Sequence, residues 1–142
     1  MVKNVLNTLR KKQKNNKGFS LVELIVVIAI MAVLVAVIAP QLIKYVEKGR
    51  ESTDISSADK IGSALQTYYS DKTIPDSGVT VTINKSGALT ETAVKDAKIE
   101  NTTLKGDWGT TGISITLGTD GQLTITGEAK YYKYQNNEPI AK

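Results

Sequence analysis

The chain has 142 residues, enough for one domain and an appendage, and a formal net charge of +4. It contains no cysteine and no histidine, which excludes disulfides, thiol nucleophiles and zinc sites that need those ligands. Neither paired catalytic carboxylates nor a phosphate-binding loop is evident, so we predict no enzyme, no metal site and no cofactor.

The positive charge is concentrated at the start of the chain. Six bases and no acid precede Phe19, which leaves 12 bases against 14 acids and a net charge of −2 for the remainder. A basic flank beside an apolar segment keeps that side of a membrane protein in the cytoplasm. The high pI therefore belongs to the leading segment, and we predict no specific nucleic-acid partner.

A long apolar segment follows the basic one. Residues 24–39 are leucine, isoleucine, valine, alanine and one methionine, and the 21 residues from Phe19 to Ala39 hold a single charge, Glu23. As a helix they span about 30 Å, the thickness of a hydrocarbon core. A charge at the centre of such a helix costs about 2.5–3.5 kcal/mol, so Glu23 calls for a functional explanation.

Two ordinary explanations leave features of this region unexplained. A cleaved secretory signal peptide has a shorter apolar run and an Ala-x-Ala cleavage site, whereas residues 36–39 read Ala-Val-Ile-Ala and Pro40 would follow the cut. A permanent single-span anchor accounts for the length and the flanks. It does not account for Glu23 or for the Gly18–Phe19 junction.

The segment Lys17-Gly18-Phe19-Ser20-Leu21-Val22-Glu23-Leu24, ahead of an apolar helix, resembles the prepilin signature of type IV pilins and pseudopilins. The resemblance implies that a prepilin peptidase in the membrane cuts between Gly18 and Phe19 and methylates the new amine of Phe19. It also implies that Glu23 serves assembly. The absence of cysteine fits the disulfide-poor pilins of Gram-positive bacteria.

The chemistry of Glu23 allows two roles. Its carboxylate can interact with its own helix dipole and its own N-terminal amine. In a bundle of parallel helices offset along their axes, it can instead pair with the Phe19 amine of a neighbouring subunit. That pairing removes the penalty of an unpaired buried charge and selects one axial stagger. We therefore predict that Glu23 and Phe19 set the register of assembly.

Pro40 follows the apolar segment. Within a helix, proline removes one backbone hydrogen bond and bends or opens the preceding turn, at a cost of about 3 kcal/mol. The resemblance likewise implies a helix-bending proline here, but Ala32 occupies the position where many relatives carry a glycine before this proline, which argues against local unwinding.

An amphipathic pattern continues beyond Pro40 to about Ser70. Apolar residues recur every three or four positions, with polar residues such as Asp54 and Asp59 between them; the apolar set is Ile55, Ala58, Ile61, Leu65 and Tyr68. This pattern predicts one helix that is apolar all round in its first half and has one apolar stripe in its second. Two helices hinged at Pro40 or Gly49 fit almost as well.

The remainder predicts a small antiparallel sheet. A Pro/Gly cluster at residues 74–78 ends the helix, and Asp120-Gly121 is a strong hairpin signal. The other expectations are alternating strands near 79–83, 113–117 and 123–125, a short helix within 89–99, a strand at 131–134, and pairing of residues 129–142 with the sheet. The predicted fold class is α+β, a long N-terminal helix packed on a small antiparallel head.

Two further predictions concern the head, one for its core and one for a metal site. Trp108, between two glycines, is predicted to anchor the core. Asp107, Asp120 and Glu128 are candidate calcium ligands. Their spacing is unlike that of a calcium-binding loop, so we do not favour a metal site.

These observations together predict a leader over residues 1–18, an apolar stalk over 19–51 and a head over 52–142. The resemblance implies a structural pilin, of the major kind, that polymerises through its N-terminal helix into an extracellular type IV pilus for adhesion, motility or DNA uptake. A pseudopilin of a secretion or competence machine is the alternative, and a membrane-anchored binding module that never polymerises is a third. The implied partners are identical subunits, prepilin peptidase, the membrane before assembly and the pilus assembly machinery. The precursor would span the membrane once, with its leader in the cytoplasm and its head outside.

Overall fold

The computed structural model describes residues 2–13, 18–87, 89, 91–99 and 102–142, and in the first of these segments the side chains of residues 2–7 only. Lys17 of the prepilin-like segment and four of the leader's other residues therefore lie outside the described residues. The chain divides into two compact units between Gln41 and Leu42. The predicted boundaries of leader, stalk and head stay predictions.

The first unit contains helix α1, Val2–Gln13, and the beginning of helix α2, Leu21–Tyr68. The 19 residues of α2 that precede Pro40 contain no glycine and no proline, so no strong helix breaker interrupts them. The helix continues through Pro40 as one element. The prediction of a single helix is thus confirmed over two hinged ones.

In the second unit α2 buries one stripe of side chains. Ala58, Ile61 and Leu65 are fully buried and Ile55 is 8% exposed, which confirms the predicted apolar stripe. Gly62 lies on the same face, where a Cβ atom would come within 2.6 Å of Leu123 Cδ2. The helix therefore packs closely on the sheet because this position has no side chain.

Three strands form the main sheet: β1 Val79–Ile83, β2 Ile113–Leu117 and β3 Leu123–Thr126, all antiparallel in the order β1-β2-β3. Alternate residues such as Val81, Ile115 and Ile125 are paired across the strands and buried. Their neighbours on the outer face are threonines and a serine. A short helix, α3 Thr92–Asp96, precedes β2. The predicted strands, short helix and α+β class are confirmed.

The predicted Asp-Gly hairpin joins β2 to β3. Gly121 adopts a φ of +78°, a conformation that glycine reaches without strain. The carbonyl of Gly118 accepts the Gly121 N–H at 2.9 Å, and Asp120 Oδ1 accepts the Gln122 N–H at 3.0 Å. The aspartate thus stabilises the turn.

The C-terminal segment forms its own hairpin, so the prediction that it joins the main sheet is wrong. Strand β4, Tyr132–Gln135, pairs with β5, Glu138–Ala141, as a separate two-stranded sheet. The hairpin contacts the chain just after β3, where the Tyr134 N–H donates to the Gly127 carbonyl at 2.9 Å. Its strand content was predictable from alternation, but its pairing partner was not.

The side chain of Asn137, at the tip of that hairpin, occupies the free edge of β3. Its Oδ1 accepts the N–H of Ile125 at 2.9 Å, and its Nδ2 donates to the carbonyl of Leu123 at 2.8 Å. One amide therefore forms the two hydrogen bonds that a neighbouring strand would otherwise make. An edge with unpaired backbone groups invites strand addition, and Asn137 blocks this part of it.

We expect Asn137→Gly to lower the free energy of unfolding by about 1–2 kcal/mol, because two hydrogen bonds are lost. Glycine preserves the φ of +66° that Asn137 adopts. Asn136→Gly is the matched control, since Asn136 also has a positive φ and stays exposed. Urea unfolding of both variants measures the effect. Equal stability of the two variants would show that the amide contacts contribute nothing.

Two acidic residues of α2, Glu51 and Asp54, are each only 1% exposed and hold segments of the head against the helix. We call them the carboxylate clamp. Glu51 Oε2 accepts the N–H of Tyr131 at 3.0 Å. Asp54 accepts three donors: the N–H of Lys105, the N–H of Gly106 at 2.6 Å and Trp108 Nε1 at 2.9 Å. Buried carboxylates are tolerated because they are hydrogen-bonded.

The carboxylate clamp corrects the sequence interpretation, which placed Asp54 among the polar residues that separate the apolar stripe. Its donors lie 51 to 54 residues further along the chain. Trp108 is 1% exposed, which confirms its predicted place in the core. Its indole N–H needs a partner there, and Asp54 is that partner.

Gly106 makes the close approach of its loop to the carboxylate clamp possible. A Cβ atom at this position would lie 2.6 Å from Glu51 Cγ and 3.1 Å from Asp54 Oδ2. We expect Gly106→Ala to cost about 2–3 kcal/mol of unfolding free energy, because the loop must move away from its acceptors. Gly49→Ala is the control, since it has open space and should stabilise α2 by up to about 1 kcal/mol. Thermal unfolding distinguishes them, and a neutral Gly106→Ala would contradict this account.

Candidate assembly site at the start of the apolar helix

The Gly18–Phe19 bond lies in a non-helical segment directly before α2. Residues 18–20 have no helical or strand structure and are exposed, and the Phe19 side chain is 90% exposed. Among the described residues, no atom beyond the chain neighbours lies within 4 Å of a Cβ placed on Gly18. A peptidase that needs an extended, uncrowded backbone would meet no obstacle from the described part of the chain.

Ser20 and Glu23 form a capping box at the start of α2. The Ser20 hydroxyl accepts the N–H of Val22 at 3.2 Å, and Glu23 Oε2 accepts the N–H of Ser20 at 2.8 Å. This reciprocal pattern satisfies backbone donors that the first helical turn leaves open. Our sequence interpretation missed Ser20, although Ser-x-x-Glu before an apolar run is the known signal for such a box.

The capping box bears on the two roles predicted for Glu23. One carboxylate oxygen caps its own helix, as the simpler of the two sequence interpretations expects. A carboxylate has a second oxygen with its own lone pairs, so capping and pairing with a further cation are compatible. The intermolecular role of Glu23 and Phe19 therefore stays a prediction.

The first half of α2 presents apolar side chains in all directions. From Phe19 to Val46, each large apolar side chain is at least 47% exposed. The helix is long and apolar enough to cross a membrane, and its most apolar 18-residue window is not buried at all. Burying one large aliphatic side chain contributes about 1.5–3 kcal/mol, so this surface favours a lipid or protein environment.

Pro40 lies inside the continuous α2 and is exposed. The helical assignment extends on both sides of it, from Leu21 to Tyr68. Its predicted role as a bend stays a prediction.

A protein-family model matches the chain over this region. Residues 13–39 match the model of the prokaryotic N-terminal methylation motif. The chain carries the prepilin signature of type IV pilins and pseudopilins. This signature indicates a structural subunit rather than an enzyme, and implies processing by prepilin peptidase and association with the membrane. No curated protein and no solved structure matches the chain significantly.

The prepilin signature covers the residues that the sequence singled out. It includes Gly18, Phe19 and Glu23 and ends just before Pro40. The motif therefore coincides with the exposed junction, the capping box and the apolar surface. The head of this prepilin-like chain lies outside the matched range.

Two of the three acids weighed for calcium, Asp120 and Glu128, form contacts within the chain, and Asp107 is exposed. Asp120 stabilises the β2–β3 turn, and Glu128 forms an ion pair with Lys142 at 2.6 Å. The hydrogen bond from Lys142 lowers the pKa of Glu128 below its usual value. Within the described residues, no group of three or more acids is arranged to hold a metal ion.

Proposed function

We propose that this protein is a pilin, the structural subunit of an extracellular type IV pilus, and that it polymerises through the first half of α2. The observation that carries the proposal is the combination of an accessible Gly18–Phe19 bond with an apolar helix that contains one charge. Every large apolar side chain from Phe19 to Val46 is exposed in the single chain. Such a surface needs partners, first lipid and then neighbouring stalks.

Cleavage after Gly18 would change both charge and chemistry at the helix start. Loss of the leader takes away six bases, so the side chains of the mature chain carry a net charge of −2. The new amine belongs to Phe19, one residue before the capping Ser20. In this scheme residues 1–18 orient the precursor, residues 19–51 form the stalk, and residues 52–142 form the head.

Polymerisation would follow from head-to-tail contacts between parallel stalks. Contacts of this kind do not close on themselves and produce an open helical polymer. The Glu23 carboxylate of one subunit would pair with the Phe19 amine of the next and so select one stagger. Pro40 would bend the stalk near its exit from the apolar region.

The chain would move from the membrane to the cell surface and meet different partners on the way. The precursor spans the membrane once, prepilin peptidase removes its leader, and the pilus assembly machinery adds it to a filament of identical subunits outside the cell. The filament should therefore contain the processed chain, N-methylated at Phe19.

Mass spectrometry of filaments sheared from cells tests the proposal. We expect a chain that begins at N-methylated Phe19 and contains residues 19–142. Intact residues 1–18 in the filament material would overturn the assignment of the cleavage site. Electron microscopy adds a second criterion, because filaments restricted to short stubs at the cell envelope would indicate a pseudopilin, and normal surface display without any filament would indicate a membrane-anchored binding module.

A further inference from the structure

A cavity of about 330 Å³ lies in the head, between α2 and three other segments of the chain. Four cations line it: Arg50 from α2, Lys85, Lys105 and Lys130. The acids that line it are Glu47, Glu51 and Asp107, and Gly106 completes the lining. The four cations come from four separate parts of the sequence, so only the fold brings them together.

Two of the three acids are already engaged. Glu47 Oε2 pairs with Lys130 Nζ at 3.1 Å, and this hydrogen bond lowers the pKa of Glu47. Glu51 Oε2 accepts the Tyr131 N–H as part of the carboxylate clamp. Asp107 is exposed. Four cations against three acids leave the lining with a formal net charge of +1.

Among the described residues, three of the four cations form no close contact with an acid, although the charge of Arg50 also contributes to the lowered pKa of Glu47. In the part of the chain that the structure describes, the side chains of Arg50, Lys85 and Lys105 make no hydrogen bond and no ion pair. Like charges that converge on one cavity repel each other, and a concave site concentrates their potential. An anion would relieve the repulsion.

The backbone beneath these side chains is held in place. The N–H groups of Lys105 and Gly106 donate to Asp54. Asn84 Oδ1 accepts the N–H of Ser86 at 2.9 Å and that of Gly87 at 3.2 Å, which fixes the turn carrying Lys85. The two loops are joined by the Leu104 N–H, which donates to the Asn84 carbonyl at 3.2 Å. A site of this kind needs little ordering when it binds a ligand.

We propose that this cavity binds a phosphate group, held by Arg50, Lys85 and Lys105. A guanidinium matches phosphate oxygens in a bidentate manner, and ammonium groups add point charges from other directions. Three cationic side chains can contact an anion with three or four oxygens more fully than a carboxylate with two. The phosphate can be free inorganic phosphate or the phosphodiester of a glycerol-based headgroup or polymer.

The test uses the full chain in detergent micelles and follows backbone amide signals by NMR. Inorganic phosphate is titrated at constant ionic strength, with chloride as the balancing anion. We expect saturable shifts confined to residues around Lys85, Lys105 and Gly106. Arg50→Gln and Lys105→Gln should each weaken binding by about tenfold or more, because each removes a charge-assisted contact.

Lys95→Gln is the matched control, because Lys95 is an exposed lysine on α3 that does not line the cavity. It should leave the affinity unchanged. Unsaturable shifts, equal affinity for acetate, or an equal loss in Lys95→Gln would each overturn the proposal. Parallel titration with glycerophosphoglycerol identifies the source: tighter binding than phosphate assigns the site to a phosphodiester, and weaker binding assigns it to free phosphate.

This measurement does not require filaments. The cavity and its ligand are therefore tested independently of the proposed pilus, and failure of either proposal leaves the other open to its own experiment.

Discussion

We expect Asp54→Ala to lower the free energy of unfolding by about 3–5 kcal/mol. Asp54 is 1% exposed and accepts hydrogen bonds from Lys105, Gly106 and the Trp108 indole. Its removal leaves these donors without an acceptor. A buried donor that loses its partner costs about 1–3 kcal/mol, and partial access of water keeps the total below the simple sum.

Urea unfolding of the full chain in detergent measures this loss through the fluorescence of Trp108, the only tryptophan in the chain. Asp54→Asn should give an intermediate loss of about 2 kcal/mol, because its amide oxygen still accepts while its NH₂ faces other donors. Asp59→Ala is the matched control, since Asp59 is exposed on the same helix, and it should change stability by less than about 0.5 kcal/mol. An Asp54→Ala variant within about 1 kcal/mol of the parent would mean that water reaches these donors.

The second large effect concerns assembly. If Glu23 pairs with the Phe19 amine of a neighbouring subunit as proposed, we expect Glu23→Gln to reduce the yield of surface filaments by at least about tenfold, because the uncharged amide leaves the buried ammonium without a counter-charge. Glutamine still accepts a backbone N–H in a capping box. The substitution therefore removes the charge of Glu23 while preserving its contact with Ser20, and it separates the two roles.

Ser20→Ala is the complementary variant. It removes the hydroxyl that accepts the Val22 N–H, at a cost of about 1 kcal/mol in helix stability, and leaves Glu23 intact. Filaments should form at near-normal yield. Electron microscopy and quantification of sheared material compare the two variants at equal levels of membrane-inserted precursor. If Glu23→Gln assembles normally while Ser20→Ala does not, Glu23 acts only as a helix cap.

Local patterns made much of this fold predictable. The apolar run, the stripe of α2 and the alternation in β1 and β2 each depend on residues within a few positions of one another. The prepilin signature is equally local, which explains why the sequence alone identified Gly18, Phe19 and Glu23. Ser20 was missed although its signal was present, because Glu23 was interpreted through its charge and not through its distance from a serine.

The remaining features depend on distant partners. Nothing near Asp54 in the sequence shows that three donors more than 50 residues away will surround it. The strand at Tyr132–Gln135 was expected, but whether it pairs with β3 or with the following residues depends on how the head packs. The cationic cavity has the same origin, since Arg50, Lys85 and Lys105 meet only in the folded chain.

The acidic residues of α2 that contact the head also set the order in which its attachments would be loaded if the helix were pulled. Glu47, Glu51 and Asp54 occupy successive turns, about 10 Å along the helix axis, and contact respectively Lys130, Tyr131 and the 105–108 loop. Tension applied along α2 from its N-terminal side loads these attachments one turn after another. The head is therefore attached to the helix by three successive polar contacts and not by a disulfide. Because the chain has no cysteine, reducing conditions leave these contacts unchanged.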